Sequence, residues 1–168
     1  MNTLSKGTSI TYHPIGVFKS PYTPDTGAPR QGILKPDKPG EIHLDPQFQG
    51  GLKDLEKFKH IIVLYHLDQT GAWTPQVQPP ASQHRFGVFA TRSPKRPNPL
   101  GMAVLTLHHI QAGCLSVTGL DAFDGTPILD IKPYLPSVDQ VDSPENQAAE
   151  KALGHHDDPY IHDSDFYR

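Results

Sequence analysis

The residues from Arg85 to Val104 form the stretch of this sequence that is best suited to bind an anion. Prolines 94, 97 and 99 each fix a backbone φ angle and remove an amide donor, so residues 91–100 are predicted to form a stiff loop rather than helix or central strand. The loop carries Arg92, Lys95 and Arg96. A loop that is rigid before binding loses less entropy, and an arginine can hold a carboxylate or phosphate through two parallel hydrogen bonds. The alternative is a solvated basic turn between two strands.

Two other residues of this loop favour a binding role. Asn98, between two prolines, is a typical turn former, but its amide can also read a base edge or a ribose. Gly101 permits a close approach of other atoms to the backbone where a strand resumes. Together with the cations they indicate an anionic partner of the nucleotide class.

Other chemistries find weaker support. Asp121, Asp124 and Asp130 are candidates for paired carboxylates, although Asp124 beside Gly125 is also a turn signal. Asp130 and Lys132 share a strand face as an ion pair or as two arms of a polar pocket. The glycine-rich dinucleotide motif, the nucleoside triphosphate loop and the Gly-x-Ser-x-Gly elbow are absent from the sequence. The ten histidines include two adjacent pairs and lack a carboxylate at a zinc-binding offset, so no metal is predicted.

The elements around the loop are predicted to be mostly strands. With 18 prolines and 14 glycines, the 168-residue chain favours short strands joined by long Pro-rich loops. Apolar and alternating stretches predict strands at 10–18, 41–44, 60–67 (a buried central strand), 86–90, 102–110, 115–120 and 128–132. Helical spacing predicts two short helices at 51–58 and 145–153. Trp73, in the loop after the central strand, is predicted to cap the core, with stacking on a flat ligand as the alternative.

Composition indicates one domain with two tails. Residues 1–9 are predicted to be a flexible terminus, 10–138 a β-domain and 139–168 an acidic tail with a short helix. The first 138 residues carry 13 Lys and Arg against 10 Asp and Glu, whereas residues 139–168 carry 2 against 8. The single cysteine, Cys114, excludes an internal disulfide and a cluster of thiolate ligands, as in a reducing compartment. No membrane span or secretory signal is recognisable, so a cytoplasmic location is expected.

Residues 85–101, Arg-Phe-Gly-Val-Phe-Ala-Thr-Arg-Ser-Pro-Lys-Arg-Pro-Asn-Pro-Leu-Gly, resemble the signature of the TsaA-like, TrmO-type proteins. Further matching stretches are Ile-Gly-Val at 15–17, Pro-Arg-Gln at 29–31 and Asp-Gly-Thr-Pro at 124–127, and the likeness covers about residues 10–138. Members of this family methylate N6-threonylcarbamoyladenosine at position 37 of tRNA with S-adenosylmethionine. The resemblance implies a compact antiparallel β-barrel that works as a homodimer, with the cofactor in loops near the subunit contact.

The resemblance also implies roles for individual residues. The expected cofactor-binding set is Gln31, Gly32, Ile33, Asp68, Gln69, Arg92, Ala122, Phe123, Asp124 and Gly125. The expected RNA-binding set is Arg30, Lys95, Arg96, Asn98 and Lys132, facing the tRNA anticodon loop. Asp130 and Tyr134 are the catalytic candidates, and a strong general base is not required. Longer family members continue into an extra C-terminal domain, so a barrel with another RNA or small-molecule acceptor and a noncatalytic RNA-binding module are the alternatives.

Overall fold

The protein, seen in a computed structural model, is described at residues 9–29, 31–32, 35–78 and 84–153. The strands in this part of the chain are β1 (Gly16–Lys19), β2 (Pro39–Leu44), β3 (His60–His66), β4 (Gln76–Val77), β5 (Phe86–Gly87), β6 (Leu100–Gln111), β7 (Cys114–Thr118) and β8 (Pro127–Pro133). The α-helices are α1 (Pro136–Asp139) and α2 (Pro144–Leu153). Short 3-10 helices cover Pro46–Leu52, Leu55–Lys57 and Val88–Ala90.

Six strands close into a barrel in the order β1, β2, β7, β6, β3, β8, and every neighbouring pair is antiparallel. The other two strands, β4 and β5, pair with each other in a separate two-stranded sheet. Closure satisfies the backbone groups that an open sheet would leave exposed at its edges. The predicted mainly β fold, an antiparallel barrel with few short helices, is therefore confirmed.

The barrel interior is filled by residues that alternate along the strands. On β3, Ile61, Val63 and Tyr65 are buried, while the residues between them are partly exposed. The same period of two places apolar side chains inside from β2 and β7. The buried cluster consists of Phe18, Ile42, Ile61, Val63, Tyr65, Ala103, Leu105, Leu107, Leu115, Val117, Leu120, Ala122 and Ile128. β3 is thus half-buried in a closed barrel rather than covered on both faces as predicted.

Strand pairing places four long loops at one end of the barrel. His66 at the end of β3 is paired with Leu100 at the start of β6, and Tyr65 is paired with Ile128 near the start of β8. Thr118 at the end of β7 is paired with Pro39 at the start of β2. The connections 20–38, 67–75, 88–99 and 119–126 therefore meet at one rim, which we call the upper rim. The turn at 112–113 and the segment 45–59 lie at the opposite end.

Three sequence predictions of elements need correction. The strand predicted at 10–18 begins only at Gly16, because Ile10 and Tyr12 lie outside the barrel, 72% and 66% exposed. The helix predicted at 51–58 is replaced by two 3-10 segments, since Asp54 between them has φ +68°, which ends a helix.

The strand predicted at 86–90 is also shorter than expected. It covers only Phe86–Gly87, and the chain then turns into the 3-10 helix Val88–Ala90 because the Val88 amide donates to the Pro75 carbonyl outside the barrel. The interpretation of Trp73 as a core cap is wrong as well, since the side chain is 53% exposed.

The remaining element predictions are confirmed. β2, β6, β7, β8 and α2 cover the predicted segments within a few residues at each end. The β6–β7 hairpin turns at Ala112 and Gly113, both with positive φ. Residues 91–99 contain neither helix nor strand, as the prolines dictate.

None of the helices found in the described segments has the length and apolar character to cross a membrane. The predicted limits of the terminal segments stay predictions, because 1–8 and 154–168 lie outside the described residues.

Gly101→Ala is expected to lower the free energy of unfolding by about 1–3 kcal/mol. A Cβ atom at Gly101 would lie 2.1 Å from Cε2 of Tyr65, whose ring is buried and packs edge-on against Phe18. Urea unfolding measures the change. Gly87→Ala is the control, since a Cβ there meets no atom within 4 Å. Equal free energies of unfolding for the two variants would contradict the close packing of the Tyr65 ring against Gly101.

Candidate functional site

The upper rim holds a small polar cavity between its loops. It is lined by Leu67, Asp68, Gln69, Thr70, Pro94, Asp121, Ala122, Phe123 and Thr126. The residues come from three rim loops, and each loop begins or ends at a barrel strand that fixes its position. The cavity has a volume of about 20 Å³, which is room for roughly one water molecule.

The carboxyl group of Asp121 joins two parts of this rim. Its Oδ1 accepts a hydrogen bond from the Tyr65 hydroxyl (2.8 Å), and its Oδ2 accepts one from the Gly32 amide (3.2 Å). Tyr65 belongs to the barrel core, whereas Gly32 belongs to the long loop after β1. Asp121 therefore ties the cofactor loop predicted from the sequence to the barrel.

Burial raises the pKa of the Asp121 carboxyl from 3.8 to about 6. The hydrogen bonds from Tyr65 and Gly32 and the positive charge of Arg92 act in the opposite direction but do not cancel the burial. Asp121 is therefore a carboxyl group that exchanges its proton close to neutral pH.

Two glycines make this arrangement sterically feasible. A Cβ atom at Gly32 would lie 1.6 Å from the Gly119 carbonyl oxygen, so only glycine lets the two loops approach. Gly101 leaves the space in which the Tyr65 ring lies. The close approach predicted at Gly101 is thus made by an aromatic ring of the protein itself.

Arg92 completes the group on its solvent side. Its Nη1 donates to Oε1 of Gln31 (3.1 Å), and the side chain is exposed. Gln31 and Gly32 therefore lie between Arg92 and Asp121. Of the residues predicted to bind a cofactor, the structure brings together Gln31, Gly32, Asp68, Gln69, Arg92, Ala122 and Phe123.

The neighbouring cationic loop is held in place by one of its own cations. Arg96 Nη1 donates to the carbonyls of Val88 (3.1 Å) and Thr91 (2.8 Å), and its guanidinium lies 5.7 Å from the Phe89 ring centroid. Asn98 is exposed at the tip and Lys95 is half-buried. Arg96, predicted to bind RNA, thus makes contacts that shape the loop.

Asp124 and Gly125 lie beside the cavity but do not line it. Asp124 accepts a hydrogen bond from the Ser20 amide (3.1 Å) and pairs with Lys19 (3.6 Å). Gly125 has φ +81°, as a tight turn requires. Their described contacts hold the 119–126 loop against the end of β1.

Three predicted site residues lie away from the upper rim because β8 runs from that rim to the opposite end. Asp130 and Lys132 pair with each other on the outside of β8. Tyr134, beyond β8, packs edge-on against His60 at the start of β3. No contact among the described residues joins them to the cavity, so the roles predicted for them stay predictions. Arg30 and Ile33 lie outside the described residues.

Comparison with known proteins places this geometry in a family. Residues 17–140 match the family described as the tRNA-methyltransferase O N-terminal domain. The chain belongs to the tRNA-methyltransferase O family. This confirms the resemblance seen in the sequence.

Individual relatives show the same likeness. The chain is 39% identical over 154 residues to the tRNA (adenine(37)-N6)-methyltransferase of Escherichia coli. The aligned region covers 86% of this chain and 66% of the E. coli protein. It is 43% identical over 134 residues to an S-adenosyl-L-methionine-binding protein of Archaeoglobus fulgidus, covering 80% and 96%. The crystal structure of TrmO from Pseudomonas aeruginosa superimposes with a TM-score of 0.72 at 35% identity, covering 91% of this chain and 65% of that one. The chain spans between 34% and 96% of its relatives' lengths.

Sequence reasoning missed the core of the site in this family member. The sequence pattern places Tyr65 only in a buried strand, and it offers Asp121 only as one of three candidate carboxylates. A tyrosine at an inward position of a strand does carry a usable signal, since its buried hydroxyl needs a partner.

Two buried hydroxyl groups near the cavity have no hydrogen-bond partner among the described residues. They are Thr70 Oγ1, in the cavity lining, and the Tyr22 hydroxyl. Burial raises the pKa of Tyr22, and the nearby charge of Asp121 raises it further. Unpaired buried hydroxyls are rare in folded proteins and point to a missing polar partner.

The raised pKa of the Asp121 carboxyl is expected to appear in the pH dependence of the free energy of unfolding. A carboxyl whose pKa is higher in the folded than in the unfolded protein stabilises the fold at low pH, and this stability is lost as pH rises through the folded value. The free energy of unfolding of the wild type should therefore fall by roughly 2–3 kcal/mol between pH 4 and pH 7 relative to Asp121→Asn. Urea unfolding at each pH measures it. Parallel pH profiles for the two proteins would show that Asp121 has an ordinary pKa.

Proposed function

We propose that the protein is an S-adenosylmethionine-dependent methyltransferase that acts on N6 of N6-threonylcarbamoyladenosine at position 37 of tRNA. The observation that carries this proposal is the convergence of Gln31, Gly32, Asp68, Gln69, Arg92 and Asp121 on one rim of the barrel. Relatives named for S-adenosylmethionine binding and for tRNA adenine-37 methylation support it. A tRNA substrate also supports the predicted cytoplasmic location.

The polar groups of the rim fit the charges of this cofactor. Arg92 is exposed and offers a fork of donors for a carboxylate. The acids Asp68 and Asp121 favour a neighbouring sulfonium cation. The unpaired hydroxyls of Thr70 and Tyr22 are available to a polar ligand. Phe123 is only 5% exposed and packs with Tyr22 and Ala28, so it supplies an apolar wall more than a broad stacking surface.

When bound, the cofactor supplies a methyl group on a sulfonium that is already a good leaving group. The work of this chain is then to align the acceptor nitrogen and to exclude water. Methylation of an N–H nitrogen releases a proton. Asp121 lines the cavity, and its pKa of about 6 suits it to accept that proton near neutral pH.

The loop 91–99 is placed to contact the RNA beside this cavity. Pro94 lines the cavity, and the same loop carries the half-buried Lys95 and the exposed Asn98. A lysine binds phosphate, and an anticodon loop presents bases that are already splayed out of a helix. Lys132 and the catalytic candidates Asp130 and Tyr134 lie away from this rim within one chain, so the roles predicted for them stay predictions.

A second copy of the chain completes the site in this proposal. Ligand pockets for molecules of this size measure about 300–1,000 Å³, far more than the roughly 20 Å³ of the cavity at the upper rim. Beside the cavity, Leu100, Met102 and Val104 project outward from β6 and are about half exposed. Such an apolar row on a strand next to the site favours the predicted homodimer.

A second function remains supported by one observation. The Archaeoglobus relative that this chain spans almost end to end is named only as an S-adenosyl-L-methionine-binding protein, whereas the chain spans two thirds of the E. coli tRNA methyltransferase. A cofactor-binding barrel with another acceptor is therefore the alternative. Both proposed functions are compatible with the predicted division into a barrel at 10–138 and an acidic tail at 139–168.

Arg92→Ala is expected to weaken S-adenosylmethionine binding at least tenfold in calorimetry, since loss of a charge-assisted hydrogen bond costs about 1.5–3 kcal/mol. Lys53→Ala, an exposed cation at the opposite end of the barrel, should bind as wild type does. Methyl transfer is then assayed on tRNA with and without the threonylcarbamoyl group. Cofactor binding without transfer to either tRNA would select the alternative acceptor. Salt-sensitive RNA binding without any cofactor binding would indicate a noncatalytic module.

Met102→Glu is expected to convert the dimer into monomers, because it puts a charge into the apolar row on β6. Sedimentation velocity measures the oligomeric state, and calorimetry should show weaker cofactor binding by the monomer. Val138→Glu is the control, as Val138 is 70% exposed in α1, outside the row. A wild type that sediments as a monomer would refute the dimer, and the cofactor site would then have to form within one chain.

A further inference from the structure

Three metal-binding side chains of different chemistry meet on the outer face of the barrel. Glu41 and His43 are two residues apart on β2, and Cys114 begins β7. One donor atom from each, a carboxylate oxygen, an imidazole nitrogen and the thiol sulfur, lie within 4.8 Å of one another. No metal is predicted from the sequence, in which Cys114 lies far from Glu41 and His43.

The barrel itself holds the three side chains together. His43 is directly paired with Cys114 in the β2–β7 register, and Glu41 is paired with the neighbouring Ser116. Residues two apart on a strand point to the same face, and directly opposed residues have Cβ atoms about 4.5–5.5 Å apart. The buried residues Ile42 and Leu115 point inward between them, so the group lies on the outer face.

A hydrogen bond already joins two of the three side chains. His43 Nε2 donates to Glu41 Oε2 (2.6 Å), and Cys114 lies directly opposite His43 in the strand pairing. Lys19, which is paired with Glu41 in the β1–β2 register, forms its ion pair with Asp124 instead. No described lysine or arginine neutralises Glu41 through an ion pair, and the group remains open to a cation from solvent.

We propose that Glu41, His43 and Cys114 form a zinc-binding site that bridges β2 and β7. A thiolate, an imidazole and a carboxylate are all zinc ligands, and the sulfur donor disfavours magnesium and calcium. Usual zinc bond lengths and tetrahedral angles place the donor atoms roughly 3.3–3.6 Å apart. Side-chain rotations that move the donor atoms by about an ångström therefore bring them to these distances. Water takes the fourth position. On binding, the proton of the Cys114 thiol leaves to solvent, and the metal-binding nitrogen of His43 passes its proton to the other ring nitrogen.

The site is separate from the proposed cofactor cavity. His43 and Cys114 are near the 112–113 turn, at the end of the barrel opposite the upper rim, and none of the three residues lines the cavity. Zinc binding at this place therefore takes no part in the proposed methyl transfer. It cross-links two strands whose pairing closes the barrel, and it stabilises the folded state because the unfolded chain does not hold the three ligands together.

Cobalt reports this site directly, since a thiolate ligand gives Co²⁺ a strong near-ultraviolet charge-transfer band. The full chain, treated with a chelator and a reductant, is titrated with Co²⁺ and then with Zn²⁺. We expect the band to saturate at one equivalent and to disappear as Zn²⁺ displaces the cobalt. Histidines elsewhere in the chain cannot produce this band, so binding by them is distinguished.

The variants decide whether the three residues act as one site. Cys114→Ser should lose the band, and His43→Ala and Glu41→Gln should each weaken Co²⁺ binding at least tenfold. His108→Ala is the matched control, an exposed histidine on β6 that contacts Thr118. Zn²⁺ should raise the melting temperature of the wild type and of this control but not of Cys114→Ser. The proposal is overturned by a wild type without the band while its thiol is reduced, or by a band that persists unchanged in His43→Ala and Glu41→Gln.

Discussion

The hydrogen bonds of the Asp121 carboxyl are the interaction on which the upper rim depends. One oxygen is bound by the hydroxyl of a core tyrosine and the other by a loop amide, so the carboxyl connects the barrel with the long loop after β1. The arrangement carries an energetic cost, because burial opposes the charged form of the carboxyl. Such costs are common where a protein needs a particular chemical group in a particular place.

The barrel makes this placement possible through its register. Since all six strands are antiparallel, alternate connections return to the same end, and the loops after β1, β3 and β7 and before β6 meet there. The loops differ in length and composition, yet each is fixed at both ends by a strand of the closed sheet. Functional groups from distant parts of the chain are thereby brought within a few ångströms while the core remains apolar.

The sequence predicted what depends on local pattern. The apolar run of β3, the alternation on β8, the glycine turn before β7, the helix α2 and the strand-free proline loop were all recognisable from neighbouring residues. It failed at Ile10 and Asp54, where the result depends on whether a partner strand is available or on a single positive φ angle. Residues predicted from family resemblance did converge around Arg92 and Gly32. Two contacts depend on strand register, which a single sequence does not display. They are the hydrogen bond between Tyr65 and Asp121, 56 residues apart, and the approach of Cys114 to Glu41.

The internal hydrogen bonds of Arg96 have a consequence for how an RNA partner would be chosen. A cation that binds the carbonyls of Val88 and Thr91 has less capacity left for phosphates. Each phosphate neutralised on a single strand contributes a slope of only about −0.7 to the logarithmic salt dependence of binding. Arg96 therefore adds less than a full cation to the general attraction of the loop for nucleic acid. Its part in choosing a partner is instead to hold the proline loop, with the exposed Asn98 at its tip, in one shape.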